Sequence, residues 1–205
     1  TVLHASATTG ERQTAAEAAV VAFGLPLVVK PANRGSSVGV TIVRTRDAIG
    51  PAMDHAFTTA DALMFQRFVA GTEVTCGILE VDGRDTALPP TEIIPRTSGF
   101  FDYAAKYIPG ASEEITPARL PPETIQRVQD AALRAHRALG CAGFSRTDMI
   151  LAPDGKLFVL ELNTIPGMTE TSLLPQAATV AGIPFPQLLD TIITTALQRH
   201  HSYAG

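Results

Sequence analysis

The chain has 205 residues, 45% hydrophobic and 18% charged, which suits a globular protein of one large domain or two small lobes. Sixteen Lys and Arg against 20 Asp and Glu give a net charge of −4, so there is no electrostatic case for nucleic acid or an anionic membrane as partner. No apolar run reaches the roughly 18 residues of a transmembrane helix, and no signal-peptide pattern opens the chain. Cys76 and Cys141 lack metal-type spacing and read as buried thiols in a reducing, cytoplasmic compartment. The first residue is Thr rather than Met, and the opening residues carry no start-like pattern. The chain is therefore expected to be part of a longer protein.

In chain order, Thr14 and Glu17 have capping-box spacing and predict an Ala-rich helix closing at Gly24. Residues 25–30 form a short apolar strand ending in Lys30, residues 31–37 a loop, and residues 38–43 a second strand. A helix over 47–57 and a strand over 62–68 follow, and the connector 69–71 marks a lobe boundary between 1–70 and 71–205. Residues 73–81 alternate, turn at Asp82-Gly83 and return through 84–88. Residues 91–121 hold four prolines and little periodicity, which predicts a long functional loop. Pro122 starts a helix with Ile125, Val128, Ala132, Ala135 and Leu139 on its buried face, His136 in solvent, and Gly140 as its stop. A hairpin over 145–163 and helices over 172–181 and 185–199 complete an α+β pattern with mostly antiparallel strands. No histidine has ligand spacing with carboxylates.

The hairpin carries the strongest chemical signal. If Asp154-Gly155 is a two-residue loop, Pro153 pairs with Lys156, Asp148 lies opposite Glu161, and Arg146 lies opposite Asn163. Alternation puts these four on one face and Thr147, Met149, Leu151, Phe158, Leu160 and Leu162 on the other. Opposed carboxylates with Cβ atoms roughly 5 Å apart repel each other, and a cation between them would relieve that. Carboxylate and amide oxygens suit Mg²⁺, which is usually shared with substrate phosphates. The bland alternative is a solvated polar face on an edge hairpin.

Three further segments point the same way. In Lys30-Pro-Ala-Asn-Arg-Gly-Ser-Ser-Val-Gly39, glycines permit close backbone approach, Ser36 and Ser37 add donors, and Lys30 at the end of an apolar strand calls for an anionic partner such as phosphate. It is not a P-loop, and alone it could be an ordinary hairpin turn. The aromatic and charged string from Arg96 to Tyr107 suggests a lid over a charged substrate, or a loop anchored by its own aromatics. In the segment from Asn163 to Leu173, Gly167 offers a flexible N–H, and Ser172 is an expected N-cap beside donors that could take a carboxylate.

Taken together, Lys30-Pro with Gly35-Ser-Ser-Val-Gly39, Phe101-Asp-Tyr-Ala-Ala-Lys-Tyr107, Arg146-Thr-Asp148 and Glu161-Leu-Asn-Thr-Ile-Pro-Gly-Met-Thr169 resemble the D-alanine–D-alanine ligases of the ATP-grasp superfamily. The resemblance runs in order from about Phe23 to Leu189. It implies an α+β ATP-grasp fold, with two lobes of mostly antiparallel sheet clasping a nucleotide. It also implies ATP-dependent joining of two D-alanines through an acyl phosphate, for peptidoglycan synthesis. By this resemblance Asp148, Glu161 and Asn163 hold two Mg²⁺, with Mn²⁺ as a substitute. Arg146 and the Gly167 N–H stabilise the oxyanion of the tetrahedral intermediate. Lys30, Ser36, Ser37 and Lys106 hold phosphates, Glu73 the ribose, and the backbone of Arg67 and Val69 the adenine edge. Gln66 and Leu160 complete the nucleotide site. Ser172 and Leu173 N–H groups bind the second D-alanine's carboxylate, and Tyr107 with Ser36 latches the lid. Tyr107 favours an amine over D-lactate as acceptor.

Gln66 stands where the family usually has Glu, and Phe101 where Tyr is common. The family also has an N-terminal lobe, with a glutamate at the first D-alanine site and a further ATP-binding lysine, that has no counterpart here. The chain by itself is therefore expected to be inactive, and a homodimer is expected only of the full-length protein. Another ATP-grasp carboxylate–amine ligase and a non-catalytic ATP-binding module are the alternatives.

Overall fold

The computed structural model describes residues 2–35, 37–96 and 110–203, the last four as backbone only. The chain divides into two compact units, residues 1–69 with 95–112 and residues 70–94 with 113–205. The seven strand pairs with a defined register are all antiparallel, in keeping with the α+β pattern of mostly antiparallel strands.

The first unit is a four-stranded sheet with two helices. Its strands are β1 (Val2–His4), β2 (Leu27–Pro31), β3 (Thr41–Val43) and β4 (Ala62–Arg67), in the order β1-β4-β2-β3. Helices α1 (Thr9–Phe23) and α2 (Ile49–Phe57) cover it, the latter entered through a 3₁₀ turn, Arg46–Ala48. Alternate β2 residues Leu27 and Val29 are fully buried with Val43, Leu63 and Phe65. Each such side chain contributes about 1.5–3 kcal/mol.

Helix α1 is capped six residues earlier than predicted, at Thr8 rather than Thr14. Thr8 and Glu11 form the capping box, with Glu11 N–H donating to Thr8 Oγ1 at 3.3 Å and Thr8 N–H to Glu11 Oε2 at 2.7 Å. Thr14, which has the same spacing to Glu17, lies inside the helix and donates its hydroxyl to the Gly10 carbonyl at 2.9 Å. The earlier cap is held by Arg12, which donates to the carbonyls of Ala5 and Ala7 and lies 4.7 Å from the Phe57 ring centre. Strand β1 was not predicted; three residues carry too little alternation to be seen.

The second unit is built on β5 (Thr72–Val81), buried at seven consecutive positions. The other strands are β6 (Arg84–Ala87), β7 (Thr91–Pro95), β8 (Ser112–Ile115), β9 (Phe144–Leu151) and β10 (Leu157–Asn163), in the order β10-β9-β5-β7-β8 with β6 pairing β5. On one face, Val74, Cys76 and Ile78 pack with Met149 against Val128, Ala131 and Ala132 of α3 (Pro122–Ala138). On the other, Leu79 and Leu88 pack against α4 (Leu173–Val180) and α5 (Phe185–Tyr203) through Leu174, Ala177, Ala178 and Leu188. No single described helix is long and apolar enough to cross a membrane.

Four expectations are corrected here. Residues 91–121 are not one loop: β7 and β8 stand near its two ends, with Arg96 N–H donating to the Ala111 carbonyl at 2.8 Å, and proline content hid both strands. Helix α3 is rotated from the expected face, so Leu139, its C-cap, is exposed and His136 is 1% exposed. Cys76 is buried, and burial pushes its thiol up to about 12, but Cys141 is only half-buried. The fourth concerns Phe158. Its partner is Ile150, which puts it on the face of Asp148 rather than with Met149.

Buried His136 receives or gives a hydrogen bond at Nδ1 with Ser145 Oγ, 2.7 Å away, while Nε2 has no hydrogen-bond partner and lies 3.6 Å from Asp85 Oδ1. Burial holds the imidazole below its usual 6.5, and the carboxylates of Asp85 and Glu80 offset only part of that. The folded state thus prefers the neutral ring. Its stabilising share is present above about pH 6.5 and is lost as pH falls from there through the lower folded value. Denaturation midpoints at pH 7.5 and pH 5 should therefore fall more for the native chain than for His136→Gln. At Gly71, an added Cβ would collide with the Leu151 carbonyl oxygen and sit 2.8 Å from Ile150 Cγ2. Gly71→Ala should lower stability by about 1–3 kcal/mol or more, read as a drop in melting temperature.

Candidate active site

Strands β9 and β10 bring Arg146, Asp148, Glu161 and Asn163 together, by a route different from the predicted one. The turn has three residues rather than two: Ala152 N–H donates to the Lys156 carbonyl and Gly155 N–H to the Ala152 carbonyl, both at 2.9 Å. Gly155 has φ +79°, the left-handed residue that such a turn requires. This places Leu157 opposite Leu151 and Val159 opposite Met149, one residue off the expected register. A β-bulge between Val159 and Glu161 then restores it, so Glu161 faces Asp148 and Asn163 faces Arg146. Leu160, expected on the core face, is the extra residue of that bulge.

Asp148 is the hub. Arg146 grips it with two parallel bonds, Nε to Oδ1 and Nη2 to Oδ2, both 2.8 Å. Both side chains are largely buried, at 13% and 17% exposure, so the pair is far less screened than a surface bridge. Asn163 Nδ2 donates to Asp148 Oδ2 at 3.2 Å and reaches Glu161 Oε1 at 3.5 Å. Thr75 of β5, directly opposite Asp148, donates its hydroxyl to Oδ1 at 2.7 Å. Sequence reasoning missed Thr75, although it shares the alternating row of Glu73 in β5.

The repulsion between Asp148 and Glu161 is thus met partly within the chain, by the Arg146 guanidinium and the Asn163 amide. Asp148, Glu161 and Asn163 still fit a hard divalent cation: two carboxylates and one amide in adjacent positions, with Glu161 exposed. Among the described residues no three His, Cys, Asp or Glu side chains gather into a metal cage.

Beyond β10, a Cβ on Gly167 would lie 2.9 Å from Ser172 Oγ, so a larger residue there would require the Ser172 side chain to shift. Ser172 stands at the N-cap position of α4 with extended backbone, but its side chain makes no capping bond to the helix. Its Oγ takes the Thr169 N–H at 3.1 Å, and its own N–H donates to the Thr169 carbonyl at 2.8 Å. A carboxylate binding at Ser172 and Leu173 would compete with that last bond. One turn on, Gln176 Nε2 donates to the Thr171 carbonyl at 2.7 Å and to Glu114 Oε2 at 3.1 Å. Burial raises the Glu114 carboxyl above its usual range, against the Gln176 bond and the charge of Arg146.

In the first unit, Lys30 lies near the end of β2 opposite Met64, and Gln66 and Arg67 stand in β4 opposite Val28 and Leu27; Val69 follows β4. Ser37 adopts φ +57°, rare for a residue with a Cβ. Gly39 at φ +74° lies where a Cβ would come within 2.8 Å of Thr59 Oγ1 and 2.9 Å of Pro31 Cγ. Glu73 lies in the second unit, in β5 between Ile93 and Ile150. Ser36, Phe101, Lys106 and Tyr107 fall outside the described residues.

These contacts separate structural from chemical roles. Asp148→Ala leaves a largely buried guanidinium without its two-point partner and should cost about 1–3 kcal/mol of stability. Glu161→Ala removes an exposed carboxylate with one weak contact and should stay within about 0.5 kcal/mol of the native chain. Equilibrium urea denaturation of both variants measures the contrast.

Comparison with known proteins agrees with the geometry. The family model described as D-ala D-ala ligase C-terminus matches residues 1–194. A D-alanine–D-alanine ligase of Desulfotalea psychrophila is 50% identical over 185 residues, covering 89% of this chain and 57% of that protein. One of Syntrophobacter fumaroxidans is 51% identical over 177 residues, covering 86% and 56%. The chain thus spans little more than half the length of these relatives. Among solved structures, the D-alanine–D-alanine ligase of Bacillus anthracis complexed with ATP superposes with a TM-score of 0.75 at 33% identity, over 100% of this chain and 61% of that one. The VanG D-Ala:D-Ser ligase of Enterococcus faecalis does so with a TM-score of 0.79 at 35% identity, over 95% and 55%. The antiparallel α+β fold is that of the D-alanine–D-alanine ligases, and with nearly the whole sequence matched the chain belongs to the D-ala D-ala ligase C-terminal family.

Proposed function

We propose that this chain is the ATP- and cation-binding portion of a ligase that joins two D-alanines for peptidoglycan synthesis in the cytoplasm. The observation that carries the reading is the register that sets Glu161 against Asp148 and Asn163 against Arg146 on one strand pair. The ATP-complexed relative and the 50% identical ligase support the substrates. Because the chain spans 57% of that relative, the ligation is assigned to these residues working with the rest of the relatives' length.

In this reading the γ-phosphoryl group of ATP passes to a carboxylate oxygen of one D-alanine, releasing ADP and giving an acyl phosphate. The amine of a second D-alanine attacks the acyl carbon, loses a proton, and expels inorganic phosphate. Both steps gather negative charge on oxygens, so fixed cations and donors dominate catalysis. Bound Mg²⁺, or Mn²⁺ in its place, would supply charge neutralisation at the phosphates. Asp148, Glu161 and Asn163 would hold the two ions. Arg146, fixed at two points by Asp148, would be a preorganised positive group for the oxyanion, with the Gly167 N–H as a second donor. Ser172 and Leu173 would take the acceptor's carboxylate at the start of α4. Lys30, Ser36, Ser37 and Lys106 would hold phosphates. Glu73, Gln66, Leu160 and the backbone of Arg67 and Val69 would hold the nucleoside, and Tyr107 with Ser36 would close the lid. The two-lobe clasp, with a lid within 91–121, belongs to the same proposal.

The test joins this chain to the remaining segment of the Desulfotalea relative and measures phosphate release from Mg-ATP, with D-alanine, D-serine or D-lactate as acceptor. D-alanine should drive release, and Arg146→Met should reduce it by about 100-fold or more. ATP binding without any D-alanine-dependent release would reduce the chain to a nucleotide-binding module.

A further inference from the structure

We propose that Thr75 is a positioning residue: its buried hydroxyl pins Oδ1 of Asp148, so that Oδ2 is the oxygen Asp148 offers to a divalent cation. This rests on reading Asp148, Glu161 and Asn163 as a cation site. Thr75 is 2% exposed and sits in the central strand β5, opposite Asp148 in the register with β9. Its Oγ1 lies 2.7 Å from Asp148 Oδ1 and 3.2 Å from the Thr147 carbonyl. A hydroxyl has one proton, and the nearer, charged acceptor takes it. The β-branched side chain is stiff at χ1, so within a buried strand the hydroxyl does not follow another ligand.

A carboxylate offers about four acceptor sites, and Asp148 has four donors. Oδ1 receives Arg146 Nε and Thr75 Oγ1; Oδ2 receives Arg146 Nη2 and Asn163 Nδ2. Of these the Asn163 amide is held by the longest bond and can withdraw by a half-turn of its own side chain that presents its oxygen instead of its nitrogen, while the Arg146 guanidinium is held at two points of 2.8 Å. That turn frees one lone pair of Oδ2, the other staying with Arg146 Nη2, and sets the Asn163 oxygen on the side of Glu161. Oδ1 stays occupied on both lone pairs. Thr75 thereby selects single-oxygen binding by Asp148 and fixes the carboxylate's rotation. Mere packing does not explain the bond. On the opposite face of β9, buried Thr147 Oγ1 finds no hydrogen-bond partner, so a threonine in this sheet is not paired by default.

The test uses Mn²⁺ as probe, titrated into the chain with ATP present and followed by the EPR signal of free Mn²⁺. Native chain and Thr75→Ser should bind alike, within about twofold, while Thr75→Val should weaken Mn²⁺ about 10–100-fold with a cooperative melt retained. Thr75→Cys, a near-isosteric weak donor, gives the same readout should Thr75→Val not fold. Asp148→Asn separates the two claims. If Asp148→Asn abolishes binding and neither Thr75→Val nor Thr75→Cys weakens it, the role of Thr75 is overturned and the cation site stands. If Asp148→Asn leaves Mn²⁺ affinity unchanged, or the native chain does not bind Mn²⁺, the cation site and the role of Thr75 fall together.

Discussion

A carboxylate cannot lie largely buried in a sheet without donors around it, and the second unit is arranged to supply them to Asp148. Three strands contribute: Arg146 from the same strand, Asn163 from β10 and Thr75 from β5. Their convergence needs the β5–β9 and β9–β10 registers to be right at once. A slip of one residue in either would turn Asp148 or its partners to the opposite face. The hydrophobic core underneath enforces those registers. Val74, Cys76 and Ile78 alternate toward α3, which leaves Glu73, Thr75, Gly77 and Leu79 on the face that carries the site and α4. Gly77 stands opposite Arg146, and a Cβ there would press on Leu88 and Leu174 at 3.1–3.3 Å, so the same row that positions the site also admits the helix covering it.

Much of this was legible in the sequence because it depends on period and local turn chemistry. The α+β pattern, the Asp82-Gly83 turn and the helix after Pro122 are local signals. The hairpin quartet was read in the right register for an incomplete reason. A two-residue turn was assumed; the chain makes a three-residue turn, and the bulge at Leu160 compensates for it. A single extra residue in each of two places cannot be inferred from hydrophobic alternation, which is why Phe158 was assigned to the wrong face while Glu161 was not.

The rest was hidden by effects that act at a distance. Thr8 and Thr14 offer equal capping-box spacing, and Arg12 with Phe57, 45 residues on, favours the first. His136 reads as a solvated helix position until Ser145 and Asp85 are brought to it from two other strands. Thr75 is an unremarkable strand residue until β9 lies beside it. These are tertiary facts with no sequence period of their own. The quartet was easier to read than its support, since charged and amide groups at alternate positions are conspicuous and the hydroxyl bonded to Asp148 is not.

In the proposed reading the Asp148 face serves phosphoryl transfer to a carboxylate, and oxygen tracing tests that most directly. D-alanine labelled with ¹⁸O in its carboxylate is supplied with Mg-ATP to the chain joined to the relatives' remaining segment, and the released phosphate is examined by ³¹P NMR. An acyl phosphate route predicts one ¹⁸O atom in each phosphate formed with dipeptide. Unlabelled phosphate, or pyrophosphate with AMP, would contradict it.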